Sequence, residues 1–461
     1  MSLVHYLRRT SSFGEANSLF LAGRNAEAVA ALRRSSLPES AILTARCLLR
    51  LGSPSGSVAA LLRADLTEAN DAQSAEYHAL LATSLVRCGR SHDAEFHYVA
   101  AERIARRLGG ASRLEVAFYH ALDAWSVRNL DRAVEIAAET HDFVPVEPDP
   151  YRRSFNVLRS QLLELVSLVA ASREDYTMQA ALLIEAWKNL ARVPKAERDT
   201  WVAASILRNL APLVWDLTLV DEADFLLQAV STVPWTEETM SARYVATRAL
   251  AWNSALRGDH IGAFARFREC IDLAPTIPWR IASMLDRAYL ASEMRQRVIE
   301  QEEMLHGSEL AQTVAWESVV GEEAKVLLEL AQAYARQDAG LARHWLERYD
   351  RGRALPRHLM LLASDDRRQT AMEQDAQAAV LAAEGRADEA VAMRRRALAT
   401  WDDLDHLWRA ARSAIALARL TGTDHDAAAA LMRTKTFRCS WLGRAAAATR
   451  PSRRARANHN R

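Results

Sequence analysis

The sequence predicts an all-α protein, a right-handed α-solenoid of about eleven antiparallel helix hairpins. Three observations carry that expectation. The 461 residues include 86 alanines but only 16 glycines and 12 prolines. Sheets need many turns, and turns draw on Gly, Pro, Asn and Asp, whereas alanine is the best helix former. A short turn signature recurs along the chain, flanked by apolar residues at i, i+3 and i+4. Half of the residues are apolar and a quarter charged, which excludes disorder over the whole length.

The signature is a Gly-Arg type turn, then an acidic residue and alanine. It reads Gly23-Arg24-Asn25-Ala26-Glu27-Ala28 and again Gly385-Arg386-Ala387-Asp388-Glu389-Ala390. Looser copies run from Gly89 to Ala94 and from Gly258 to Ala263, while Arg128 to Ala133 and Leu219 to Ala223 lack the glycine. The closing alanines stand at 28, 94, 133, 223, 263, 342, 390 and 427, a step of 33 to 48 residues once the double gaps are halved. The glycine supplies the φ > 0 that a helix C-terminus needs. The acid sits in the first turn of the next helix, at the positive end of its dipole. The alanine is small because two helices approach closely there. The same face continues with Ala94, Tyr98 and Ala101 in one copy, and with Ala263, Phe267 and Cys270 in another.

Eleven hairpins follow in order. The first, 13–34, turns at Gly23, and 41–64 turns through the flexible segment Gly52 to Ser57. Hairpin 75–107 has the apolar face Tyr77, Leu80, Leu81, Leu85 before Gly89, and 113–141 turns at Arg128. Hairpin 153–193 holds the most apolar stretch, Leu162 to Ala171, interrupted by Glu164. Then come 200–233, 240–275 (stopped by Pro275), 280–312, 322–349, 367–401 and 407–435. Three prolines between Val144 and Pro150 forbid a helix and divide an N-terminal block, 1–143, from a continuous C-terminal block, 151–436. Arg351 to Arg367 is a second irregular stretch. Residues 437–461 form a basic tail, expected to be disordered.

This pattern resembles the tetratricopeptide repeat. The best copy runs from Thr247 to Pro275, where Leu250, Ala251, Gly258, Ala263, Phe267, Cys270 and Pro275 fall on the family's small, large and helix-stopping positions. Thr247 and Ser254 stand where the family has aromatic residues. The resemblance covers roughly Ala16 to Lys435 and implies that first helices line a concave surface. Trp252, two residues beyond Leu250, is the tryptophan of the twelve that the resemblance places towards that surface; the others read as packing between repeats. Arg208, Asn209, Arg248 and Asn253 also sit on first helices, where such side chains hold an extended peptide. The family's carboxylate clamp needs a fuller Lys/Asn pattern, and the chain has four lysines.

Catalytic and metal motifs are missing. No P-loop, G-x-G-x-x-G, G-x-S-x-G or H-E-x-x-H occurs. His92 and His97 are five apart, on different faces of a helix, and read as surface. The acidic runs Glu300 to Glu303 and Glu322-Glu323 read as solvated. Four scattered cysteines give no C-x-x-C pair, and neither a signal peptide nor an apolar run of 18 residues is present. The expectation is a cytoplasmic, non-catalytic protein without cofactor or membrane contact.

After Asp426 no acid occurs, and nine cations follow, including Arg450, Arg453, Arg454 and Arg456. The preceding chain therefore carries −8 of the net +1. Such an arm is expected to bind nucleic acid nonspecifically. The Ala/Leu/Arg-rich helical repeats, with the segment Phe437 to Arg444, also resemble the repeat region of large bacterial LuxR-type transcription regulators. Only 17 residues follow, too few for a helix-turn-helix. The sequence thus points to a regulatory scaffold that docks a protein segment or small ligand in its groove. The alternative is a LuxR-type relative lacking its helix-turn-helix, with residual nucleic-acid affinity through the tail.

Overall fold

The structure, a computed structural model, describes residues 3–33, 35, 37–140, 155–217, 220–316, 319, 323–353, 366–435, 437 and 440–449. Among these residues there are 23 α-helices and no strand. Eleven successive pairs coincide with the expected hairpins. They are α1 (Leu3–Leu21) with α2 (Asn25–Leu32), α3 (Pro38–Arg50) with α4 (Pro54–Leu62), α5 (Asp71–Arg87) with α6 (Ser91–Leu108), and α7 (Gly110–Ser126) with α8 (Leu130–Ala138). Next come α9 (Phe155–Ser172) with α10 (Tyr176–Ala191), α11 (Thr200–Asp216) with α12 (Val220–Thr232), α13 (Met240–Leu256) with α14 (His260–Leu273), and α15 (Ile277–Glu293) with α16 (Arg297–Thr313). The last are α17 (Val326–Tyr334) with α18 (Ala339–Arg353), α19 (Asp366–Ala383) with α20 (Ala387–Asp403), and α21 (Leu407–Thr421) with α22 (Asp424–Thr434). A final helix, α23 (Ser440–Ala447), follows.

The recurring turn has the expected geometry. Gly23, Gly89, Gly258 and Gly385 have φ of 78°, 77°, 84° and 79°. Arg128, Glu174 and Arg295 adopt the same conformation, at 64°, 61° and 59°, where no glycine is present. The next N–H then reaches back five positions: Arg24 to Leu19, Arg90 to Leu85, Asn129 to Ala124, Asp259 to Ser254, Gln296 to Ala291 and Arg386 to Leu381, each at 2.8–2.9 Å. This bond satisfies a carbonyl that the helix end would leave open. The alanines 28, 94, 133, 263, 342, 390 and 427 are buried at 0–1% exposure, as close helix approach requires. Val144 to Pro150, residues 354–365 and the turn before α12 lie outside the described residues.

The chain divides into two compact units. One comprises residues 1–173, 177–206 and 232–239. Its core carries on past the proline-rich segment, since Leu114, Ala121, Ala133 and Ile136 cluster with Leu158, Leu162, Leu165 and Val169 of α9. Glu238 caps α2, accepting from the backbone N–H groups of Asn25 and Ala26 at 3.0 Å each.

The other unit comprises residues 174–176, 207–231 and 240–461. Its centre is aromatic. Trp252 lies 4.9 Å from Trp408 and 5.3 Å from Phe267, and Trp408 lies 6.1 Å from Trp441. Trp441 donates its indole N–H to the Ala255 carbonyl at 2.8 Å. Part of the segment expected as a disordered tail is therefore folded: α23 buries Trp441, Ala445 and Ala446 because its apolar face completes this cluster. No described helix is long and apolar enough to cross a membrane.

Candidate functional site: a charged cavity on four first helices

The second unit contains a cavity of about 410 Å³. That lies within the usual range for small-ligand sites. Its wall is one face of four successive first helices. Asp286 and Tyr289 come from α15, Glu329 and Gln332 from α17, Asp375 and Ala379 from α19, and Arg412, Ala416 and Arg419 from α21. Spacings of three, four and seven residues keep each set on one helical face. The second helices contribute Glu300 and Met304 of α16 and Arg394 of α20.

Most of the charges are paired. Asp375 accepts from Arg394 Nη1 at 2.5 Å, Trp401 Nε1 at 2.9 Å and Ser413 Oγ at 2.9 Å. Arg419 makes a two-pronged bond to Glu293, at 3.1 and 2.9 Å, and Arg336 approaches the same carboxylate at 3.9 Å. Arg248 of α13 donates to Asp286 at 2.6 Å and pairs with Glu329 at 3.5 Å. Burial holds the Glu329 carboxyl above the usual range against the pull of Arg248, with Asp286 adding to the rise and Arg409 and Arg412 opposing it. Arg412 differs from these cations. Its guanidinium lies 4.3 Å from the Tyr289 ring centroid and 5.7 Å from that of Trp408. A cation over aromatic faces is stabilised without neutralising its charge.

The five groove residues expected from the sequence are placed differently from one another. Arg248 joins the charged wall through Asp286 and Glu329. Trp252 is fully buried in the aromatic cluster, so its ring faces packing partners. Asn253 is buried too, its amide nitrogen without a hydrogen-bond partner. Arg208 is exposed and Asn209 half-buried on α11. Arg450, Arg453, Arg454 and Arg456 lie outside the described residues. Sequence reasoning missed the row Arg409, Arg412, Arg419. A signal was available on α17, where Glu329 is the one charge in an otherwise apolar helix, and on α21, where Arg409, Arg412 and Arg419 are the only charges.

In the first unit, comparable charges close on themselves. Arg46 of α3 is buried between Glu76 of α5 and Glu115 of α7, with side chains 8%, 9% and 3% exposed. His97 pairs with His78 of α5, Nδ1 to Nδ1 at 2.9 Å, rather than with His92. Burial lowers both pKa values, and His97 lowers that of His78 further. Among the described residues no three His, Cys, Asp or Glu side chains form a metal-binding group.

No protein-family model and no curated protein matches the chain. Several solved structures are similar to it. One is the C-terminal part of a TPR repeat-containing protein from Cytophaga hutchinsonii, at 14% identity and a TM-score of 0.31, covering 57% of this chain and 96% of that one. Another is the Rap protein complexed with competence and sporulation factor, at 12% identity and 0.40, covering 76% and 98%. A third is a monomeric IFIT1 mutant with Gppp-AAAA, at 13% and 0.46, covering 97% and 95%.

Proposed function

We propose that the chain is a non-catalytic helical-repeat scaffold with a regulatory role, which docks a protein segment or small ligand on the cavity face of α15, α17, α19 and α21. The observation that carries this reading is the cavity itself. In a hairpin stack each repeat buries its apolar faces against neighbours, which leaves the remaining helix face free to bind. Here that face is concave, and most of its charges are fixed in ion pairs before any ligand arrives. Preorganised polar groups lower the entropy lost on binding.

The test is a cavity-filling variant. Ala379 lines the cavity and is half-buried. Ala379→Phe should abolish binding of library-selected peptides or small ligands, measured by calorimetry on the full chain, with the helical circular-dichroism spectrum kept. A ligand that binds Ala379→Phe as tightly as the parent would place the binding surface elsewhere.

A further inference from the structure

We infer that the cavity takes a small amphipathic organic acid, one carboxylate on a short apolar body, with Arg412 as the seat of the carboxylate. The inference rests on the scaffold reading above and names its ligand. Three features of the cavity converge on it.

The first is an available cation. Arg394 is committed to Asp375, Arg419 to Glu293, and Arg248 to Asp286 and Glu329. Arg412 makes no hydrogen bond to the described residues, and no described carboxylate lies within 4.0 Å of it; its contacts are the Tyr289 and Trp408 rings. Glu329 acts on it only at longer range.

The second is geometry. A guanidinium carries its N–H donors in its own plane, and at Arg412 none of them is spent on a described hydrogen-bond acceptor. That planar fork matches the two oxygens of one carboxylate. The third is the surrounding wall. Leu285, Met304, Met372, Ile415 and Leu420 line the same cavity and offer apolar surface to the rest of the ligand. A volume of about 410 Å³ suits a small molecule rather than a folded partner.

The experiment uses the full chain with octanoate as probe, and octanol, octylamine and inorganic phosphate as comparators, read by calorimetry. Octanoate should bind, while octanol and octylamine should bind far more weakly or not at all. Arg412→Gln should weaken octanoate by roughly 10- to 100-fold, the loss of a charge-assisted bidentate bond. Arg106→Gln, on the exposed face of α6, should leave it unchanged. Arg412→Lys keeps the charge but loses the fork, and should weaken binding several-fold; it carries the test if Arg412→Gln does not fold. Equal affinity of either Arg412 variant and the parent overturns the inference, as does octanol binding as well as octanoate. Phosphate binding without octanoate overturns the carboxylate assignment. If a selected peptide binds and Ala379→Phe blocks it, yet octanoate neither binds nor competes, the inference fails and the scaffold reading stands. If nothing binds in the cavity, both fail.

Discussion

The first helices of both units carry charges into apolar surroundings, but the two sets end differently. In the first unit Arg46 is enclosed by Glu76 and Glu115, with all three side chains buried and the cation held by two carboxylates. In the second, Asp286, Glu329, Asp375 and Arg412 border open volume, and Arg412 rests on aromatic rings instead of a carboxylate. A buried charge on a repeat helix is therefore not in itself a sign of a binding site. What marks the second set is a cavity beside the charges and a cation that no described carboxylate holds.

The largest expected effect breaks the closed set. Arg46→Leu leaves Glu76 and Glu115 facing each other in the interior without a cation. Removing one member of a buried ionic group costs about 3–5 kcal/mol. Arg412→Leu removes a cation that neutralises no carboxylate at contact distance, and should change stability by less than about 1 kcal/mol. Urea unfolding of both variants checks this. Equal losses would mean that Arg412 is structural, and the contrast between the units would fall.

A second difference concerns pH. In the first unit, burial pushes the Asp123 carboxyl up to about 7, against smaller pulls from the Thr83 hydroxyl and Arg87. The folded state therefore holds this proton after the unfolded chain has released it. Stability should be full below the ordinary aspartate range and fall as pH rises towards and past 7, by something on the order of 2 kcal/mol between pH 5 and 8. Asp123→Asn should flatten that slope. Because the lowered pKa values of His78 and His97 tilt the parent profile the other way, the difference between the two proteins is the readout, and an Asp123→Asn profile parallel to the parent's from pH 5 to 8 would show Asp123 to be solvated.

How far the sequence disclosed these features depends on the range of the forces involved. The hairpins were legible because turn chemistry and helical periodicity are local: Gly89 and Gly258 bend the chain by their own backbone freedom. Arg128, Glu174 and Arg295 were harder, because packing imposes φ > 0 on residues that do not prefer it. The cavity was hardest. Glu293 and Arg419 meet across 126 positions, and Tyr289 and Arg412 across a similar distance, so no local pattern announces either contact. Trp252 was placed in the groove from its position beyond Leu250, but Trp408 and Phe267 close around it.

The turn itself should behave alike in the two units. Ala94 and Ala263 hold equivalent positions and are 1% and 0% exposed. Ala94→Leu and Ala263→Leu each overpack a close helix contact, and each should destabilise by roughly 1–3 kcal/mol. Measured thermal midpoints that drop for one and not the other would show that the repeat is not equivalent across the units.

The smallest effect on folding, and the sharpest test of how the second unit ends, concerns the basic tail. Ala445, Ala446 and Thr449 are buried, so a deletion must begin at Arg450 to spare α23. Residues 450–461 hold Arg450, Arg453, Arg454, Arg456 and Arg461. If the first four act as a nucleic-acid arm, the full chain should retard duplex DNA weakly and without regard to base sequence. Neutralising about four phosphates gives a log–log salt slope of roughly −3 to −4. Deleting 450–461 should abolish that binding and leave the thermal midpoint and the cavity's ligand affinity unchanged. Retardation that survives the deletion would put the basic surface on the helical hairpins. Absence of retardation at low salt would make the arm inert. Preference for one base sequence would contradict the arm directly, because a row of arginines without a recognition helix reads phosphates and not base edges.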